Sequence, residues 1–211
     1  MIQGIIFDSD GTLVDSETLS AQVVVELLGE RGIEMGYEEA LQRFRGSEFA
    51  KFAGLLAADR GLTGIPQFTV EFRERSRTRY AQELLPMPGA LELVSTLTLP
   101  KCVASNGPRD KLDTCLSAAG LAPYFDGLVF SAYEVGSWKP APGLILHAAR
   151  AIGVAPRDCL LVEDSVAGIE AGLAAGVQIV GYRLEPDVLA RLSQPVRVIQ
   201  DLLDVRGLIA A

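Results

Sequence analysis

What this sequence has little of narrows its chemistry at once. It holds three cysteines, Cys102, Cys115 and Cys159, an odd number with no C-x-x-C spacing. A disulfide framework and a dithiol redox centre are therefore not expected. Cysteines within apolar runs such as R-D-C-L-L-V-E read as buried, reduced packing residues, and a reducing compartment, the cytoplasm, is their natural home. The single histidine, His147, lies in L-I-L-H-A-A and reads as structural. Apolar runs stay far short of the roughly 18 residues needed to span a bilayer. No basic region precedes the first apolar stretch, and Asp8 interrupts it, so no signal peptide is expected. A formal net charge of −8 leaves no general surface for nucleic acid or anionic membrane. Internal repeats and low-complexity segments are absent from the 211 residues.

What is present is the make-up of a globular protein, 49% hydrophobic and 22% charged. Short β-rich runs recur and end in polar residues: Ile2–Phe7 before Asp8, Lys101–Ala104 before Ser105-Asn106-Gly107, Gly127–Phe130 before Ser131, and Cys159–Val162 before Glu163-Asp164. Val177–Val180 and Val196–Ile199 continue the series. Continuous apolar runs predict strands buried on both faces, hence a parallel sheet. Helical patterns lie between them at Ala90–Thr96, Lys111–Ala119, Pro142–Ile152 and Val166–Ala175, and Gly120, Gly153 and Gly176 follow three of these as C-terminal caps. The alternation predicts a doubly wound, Rossmann-like α/β fold with its site at the carboxyl ends of the strands.

From Ser16 to Leu85 the pattern changes to helix after helix: Ser16–Leu28, Tyr37–Phe44, Phe49–Asp59 and Thr69–Leu84. This predicts a small all-helical domain, residues 16–85, inserted after the first strand and so placed over the site. Residues 1–15 and 86–211 form the α/β core.

The polar strand ends carry the chemistry. Asp8 and Asp10 share a side of the first strand and repel unless a proton or cation lies between them. In a parallel sheet they meet Ser105 and Asn106, Glu163 and Asp164, and Lys139 from G-S-W-K-P-A-P. Clustered acids without histidine or cysteine suit a hard cation such as Mg²⁺. A carboxylate can attack phosphorus, and a cation with a lysine offsets the repulsion of anion by anion.

These residues carry a resemblance. F-D-S-D-G-T-L-V-D-S-E, S-N-G, W-K-P-A-P and V-E-D-S-V-A-G-I-E-A-G resemble, in order and separation, the four motifs of the haloacid dehalogenase-like superfamily, in its branch with a small helical cap after the first strand. The resemblance covers nearly the whole chain. It implies Asp8 as nucleophile and Asp10 as the acid that protonates the leaving oxygen, then the base for water. Ser105 and the backbone amide of Asn106 would bind phosphoryl oxygens, and Lys139 would stabilise nucleophile and phosphate. Mg²⁺ would be held by Asp8, the backbone carbonyl of Asp10, Asp164 and Glu163. In the cap, Arg45 beside Gly46 is the candidate for contacting substrate.

Asp10 separates subclasses, because dehalogenating and phosphonate-cleaving members lack the second aspartate, whereas a leaving alkoxide needs an acid. The sugar-phosphate mutases of this branch carry a cap histidine at the place of Ser20 and an arginine at the place of Phe49. Their absence favours a phosphatase for a small anionic monoester, a sugar phosphate or a sugar-acid phosphate such as phosphogluconate or phosphoglycolate. A β-phosphoglucomutase-type hexose-phosphate mutase is the alternative, and a phospho-aspartate signalling module the remote one. The expected partner is a small-molecule substrate alone, for a monomer or weak dimer. Arg73, Arg75, Arg77 and Arg79 lie at helical spacing, with Glu71 four residues before Arg75, and read as a solvated, salt-bridged face.

Overall fold

The computed structural model describes residues 1–44 and 49–209. It divides into two compact units, Met1–Val14 with Leu85–Ala211, and Asp15–Leu84.

The first is α/β. Among the described residues its sheet has six strands, all parallel, in the order β3-β2-β1-β4-β5-β6. They are β1 (Gly4–Phe7), β2 (Lys101–Ser105), β3 (Val129–Ser131), β4 (Cys159–Glu163), β5 (Gln178–Tyr182) and β6 (Arg197–Ile199). β1 and β4 are buried along their whole length, which is why their sequences run apolar without alternation. The chain moves outward from β1 to β3, then crosses back to lay β4 on the other side of β1. That reversal puts the topological switch point beside β1, and crevices at the carboxyl ends of strands form there.

Two helices cover one face of the sheet. Leu144, Ile145, Ala148 and Ala149 of the helix Gly143–Ala151 and Ala171 and Ala175 of the helix Val166–Ala175 pack with Ile6, Cys102, Ala104 and Leu161 of the strands. Phe7 meets Phe125 edge to face at 6.2 Å between ring centroids. Gly120, Gly153 and Gly176 take positive φ of 70°, 73° and 71° where the preceding helices end.

The second unit holds α1 (Ser16–Gly29), α2 (Tyr37–Phe44), α3 (Phe49–Arg60) and α4 (Ile65–Glu83). Its core joins Val23, Val24, Leu27 and Leu28 of α1 to Phe52 and Leu56 of α3 and Phe68 and Phe72 of α4. Phe49 lies flat on Phe72 at 4.0 Å, and Phe44 stands edge-on to Phe52 at 5.5 Å. α4 starts four residues before the Thr69 that periodicity suggests, because Pro66 is pre-set for a helical first turn after Gly64. Its charged residues also bond the chain around the end of α1. Arg75 takes both carboxylate oxygens of Glu30 at 2.6 and 3.0 Å, while Glu71 bonds Arg31 at 2.5 Å. No helix among the described residues is long and apolar enough to cross a membrane.

Candidate active site

Four strand ends and one loop of the α/β unit supply the site. After β1 the chain turns through Ser9, whose carbonyl accepts from the amides of Leu13 and Val14 at 2.9 and 3.0 Å. Gly11 makes this turn possible for two reasons. Its φ is +79°, and a Cβ there would lie 2.0 Å from Oδ2 of Asp164. Thr12 then donates its hydroxyl to Oδ1 of Asp164 at 3.2 Å, fixing that carboxylate beside the turn.

At the centre, the ammonium of Lys139 bonds Oδ1 of Asp8 at 2.6 Å and Oε2 of Glu163 at 2.7 Å. The Lys139 side chain is 2% exposed, so this is a buried ion triad with two anions to one cation. Glu163 is held further on Oε1 by the amides of Asp164 and Ser165, both at 3.0 Å, and by the Ser165 hydroxyl at 2.9 Å. Ser165 also caps the helix Val166–Ala175 by accepting from the Gly168 amide at 3.1 Å. Gly168 leaves room for the carboxylate itself: a Cβ there would stand 1.7 Å from Glu163 Oε2.

The electrostatics follow from this crowding. Burial, then the neighbouring Glu163 carboxylate, push the Asp8 carboxyl up to about 7, against the opposing pull of Lys139. Burial alone would lower Lys139, but Asp8 and Glu163 outweigh it and raise it, so the lysine stays an ammonium. One ammonium does not neutralise the cluster. Asp8, Glu163 and Asp164 each offer a carboxylate oxygen within 4.8 Å of the others, an all-oxygen set short of positive charge. Such a donor set fits a hard divalent cation.

The β2 end forms the other wall. Ser105 is buried, and its hydroxyl accepts from the Gly107 amide at 3.1 Å. Asn106 clamps the Lys139 loop with both ends of its amide: Nδ2 donates to the Lys139 carbonyl at 3.1 Å, and Oδ1 accepts from the Lys139 amide at 2.8 Å. Ser131, at the end of β3, donates to the Gly107 carbonyl at 2.7 Å. Ser105 Oγ and Asp10 Oδ2 both lie within 4 Å of the point that a Gly107 Cβ would take.

A family model for haloacid dehalogenase-like hydrolases matches residues 2–176, most of the chain and all of these groups. The chain belongs to that family. The chain is 35% identical over 187 residues to 6-phosphogluconate phosphatase of Escherichia coli, covering 88% of this chain and 84% of that protein. A haloacid dehalogenase-like protein of unknown function from Agrobacterium tumefaciens superposes with a TM-score of 0.87 at 32% identity, over 100% of this chain and 98% of the other. A family hydrolase from Deinococcus radiodurans, solved with bound phosphate and sodium, gives a TM-score of 0.83 at 32% identity, over 99% and 95%.

Within this haloacid dehalogenase-like unit, Asp8, Lys139, Glu163 and Asp164 come together. Asp10 is placed differently: its carboxylate is not among the three clustered acids and bonds Lys111 at 2.8 Å through Oδ2. The cation role expected of Asp10 was that of its backbone carbonyl. Arg45 falls in residues 45–48, outside the described residues. Motif reading did not reveal the side-chain clamp of Asn106, the Thr12 bond to Asp164, or Lys111. His147 is exposed on its helix and stands edge-on to Phe130 at 4.9 Å, away from this chemistry. All three cysteines are buried and free, and burial pushes the Cys115 thiol up to about 12.

Proposed function

We propose that this hydrolase is a Mg²⁺-dependent phosphatase of small anionic phosphate monoesters, sugar phosphates or sugar-acid phosphates such as phosphogluconate or phosphoglycolate. The observation that carries the reading is the Lys139 ammonium bonded to both Asp8 and Glu163, with Asp164 in the same oxygen cluster. A buried carboxylate pressed against a lysine is poised as a nucleophile toward an anion that brings its own cation. The E. coli relative, named for its action on 6-phosphogluconate, supports the substrate class.

In this reading Asp8 attacks phosphorus, the ester P–O bond breaks, and Asp10 protonates the departing alkoxide. An aspartyl-phosphate remains. Asp10, now ionised, takes a proton from water as that water attacks the same phosphorus, and Asp8 leaves as carboxylate. Ser105, the Asn106 amide and Lys139 hold the phosphoryl oxygens. Asp8, Asp164 and Glu163, with the Asp10 carbonyl, would hold Mg²⁺, which would supply charge neutralisation for the incoming phosphate.

The mutase alternative is disfavoured by what stands at the two diagnostic positions. The Ser20 hydroxyl is buried and bonded to the Ser16 carbonyl at 2.7 Å and to the Tyr80 hydroxyl at 2.5 Å. Phe49 is committed to its stack on Phe72. Neither provides a proton relay or a cation.

The test is phosphate release across a panel of sugar phosphates, sugar-acid phosphates, phosphoglycolate and nucleotides, with EDTA as control. Release that needs Mg²⁺ and favours sugar or sugar-acid esters supports the reading. Isomerisation of a hexose 1-phosphate without release would replace it with the mutase. A phosphoprotein stable for hours without turnover would replace it with a signalling module.

A further inference from the structure

Lys111 has no part in the reaction described so far, and its position is odd for a helix residue. It lies in the first turn of the helix Arg109–Ala118, at the third position after the Pro108 cap. A cation there opposes the helix dipole. Yet its side chain is three-quarters buried, and its ammonium bonds Asp10 Oδ2 at 2.8 Å across 101 residues of sequence. A Cβ at Gly107 would stand in ordinary contact with the same oxygen, at 3.7 Å, so this turn runs alongside the pair. One turn beyond Lys111, the Cys115 thiol is raised by burial first and then by Asp10, and lowered by Lys111.

We propose that Lys111 is the positioning residue for Asp10: its ammonium takes Oδ2, so that Oδ1 is the oxygen that carries the proton to the ester oxygen. This rests on the phosphatase reading above and assigns the support of its acid. The two carboxylates of the D-x-D pair then have separate lysines, Lys139 for the nucleophile and Lys111 for the acid. That division keeps Asp10 from turning toward the cation cluster at Asp8 and Asp164.

The experiment compares Lys111→Met and Lys111→Arg with the unaltered protein, reading kcat/KM on a sugar phosphate and on 4-nitrophenyl phosphate. kcat/KM covers the step in which the leaving group departs, and only an alkoxide needs the acid. The expected result for Lys111→Met is a loss of about 100-fold on the sugar phosphate and less than about threefold on the aryl ester. Lys111→Arg, which keeps a cation in reach of Asp10, recovers most of the loss. Equal losses on both esters, no loss on either, or an arginine variant as impaired as the methionine variant would overturn the proposal. Failure of the underlying reading looks different, since the unaltered protein would then release no phosphate from any ester.

Discussion

The two units bury different things. The α/β unit hides a lysine, two acids and several hydroxyls: Asp8, Ser9, Thr12, Ser105, Ser131, Lys139 and Glu163 are all buried. The helical unit buries phenylalanine and leucine, with Ser16, Ser20 and Ser76 as buried polar residues among those described. Its ion pairs are partly exposed, Arg31 and Glu71 at 24% and 30% and Arg75 and Glu30 at 39% and 52%. Exposed pairs contribute little to stability because water screens them. A buried charge must be matched, and taking away one partner strands the other. The core of the helical unit therefore depends on volume, whereas the α/β unit also depends on a matched charge pattern.

The sharpest way to break this contrast is a pair of substitutions of similar size. Lys139→Met keeps the length of the side chain but leaves Asp8 and Glu163 facing each other, and should destabilise by about 3–5 kcal/mol in urea unfolding. Phe72→Leu, a modest change of shape in the aromatic core of the helical unit, should cost below about 1.5 kcal/mol. Equal costs would mean that the Lys139 triad is no more sensitive to charge than an apolar contact. Mg²⁺ provides a second lever. Adding it should raise the melting temperature of the unaltered protein, and Asp164→Asn should remove most of that rise; an undiminished rise in the variant would place the cation elsewhere.

A smaller effect tests whether every buried polar atom in the α/β unit earns its place. The Tyr182 hydroxyl is buried without a hydrogen-bond partner among the described residues. Tyr182→Phe removes a desolvated group and should be neutral or stabilising by up to about 1 kcal/mol. A clear loss of stability would show that this hydroxyl does have a partner.

The strand positions were legible in sequence because strands buried on both faces leave continuous apolar runs, as in C-L-L-V at β4. The motif residues were legible because each sits immediately after such a run. Contacts distant in sequence were not. Nothing in E-F-R-E-R-S-R-T-R-Y says that Glu71 prefers Arg31 to Arg75, since helix packing decides it. Short helices such as Ala132–Val135 and Pro186–Leu189 have too few turns to show a period. The Asn106 clamp leaves no signal for another reason: every residue of S-N-G-P favours a turn, which explains the asparagine without a distant partner. Lys111 did leave a signal, a cation in a first helical turn, which makes sense only once Asp10 is seen beside it.

The central claim is that Asp8 carries the phosphoryl group. The most direct measurement mixes the protein with Mg²⁺ and a sugar-acid ester labelled with radioactive phosphate, then quenches in acid within milliseconds. The account predicts protein-bound label that hydroxylamine releases, and none in Asp8→Asn, whose folded spectrum is unchanged. Phosphate release that persists in Asp8→Asn at a comparable rate would contradict it.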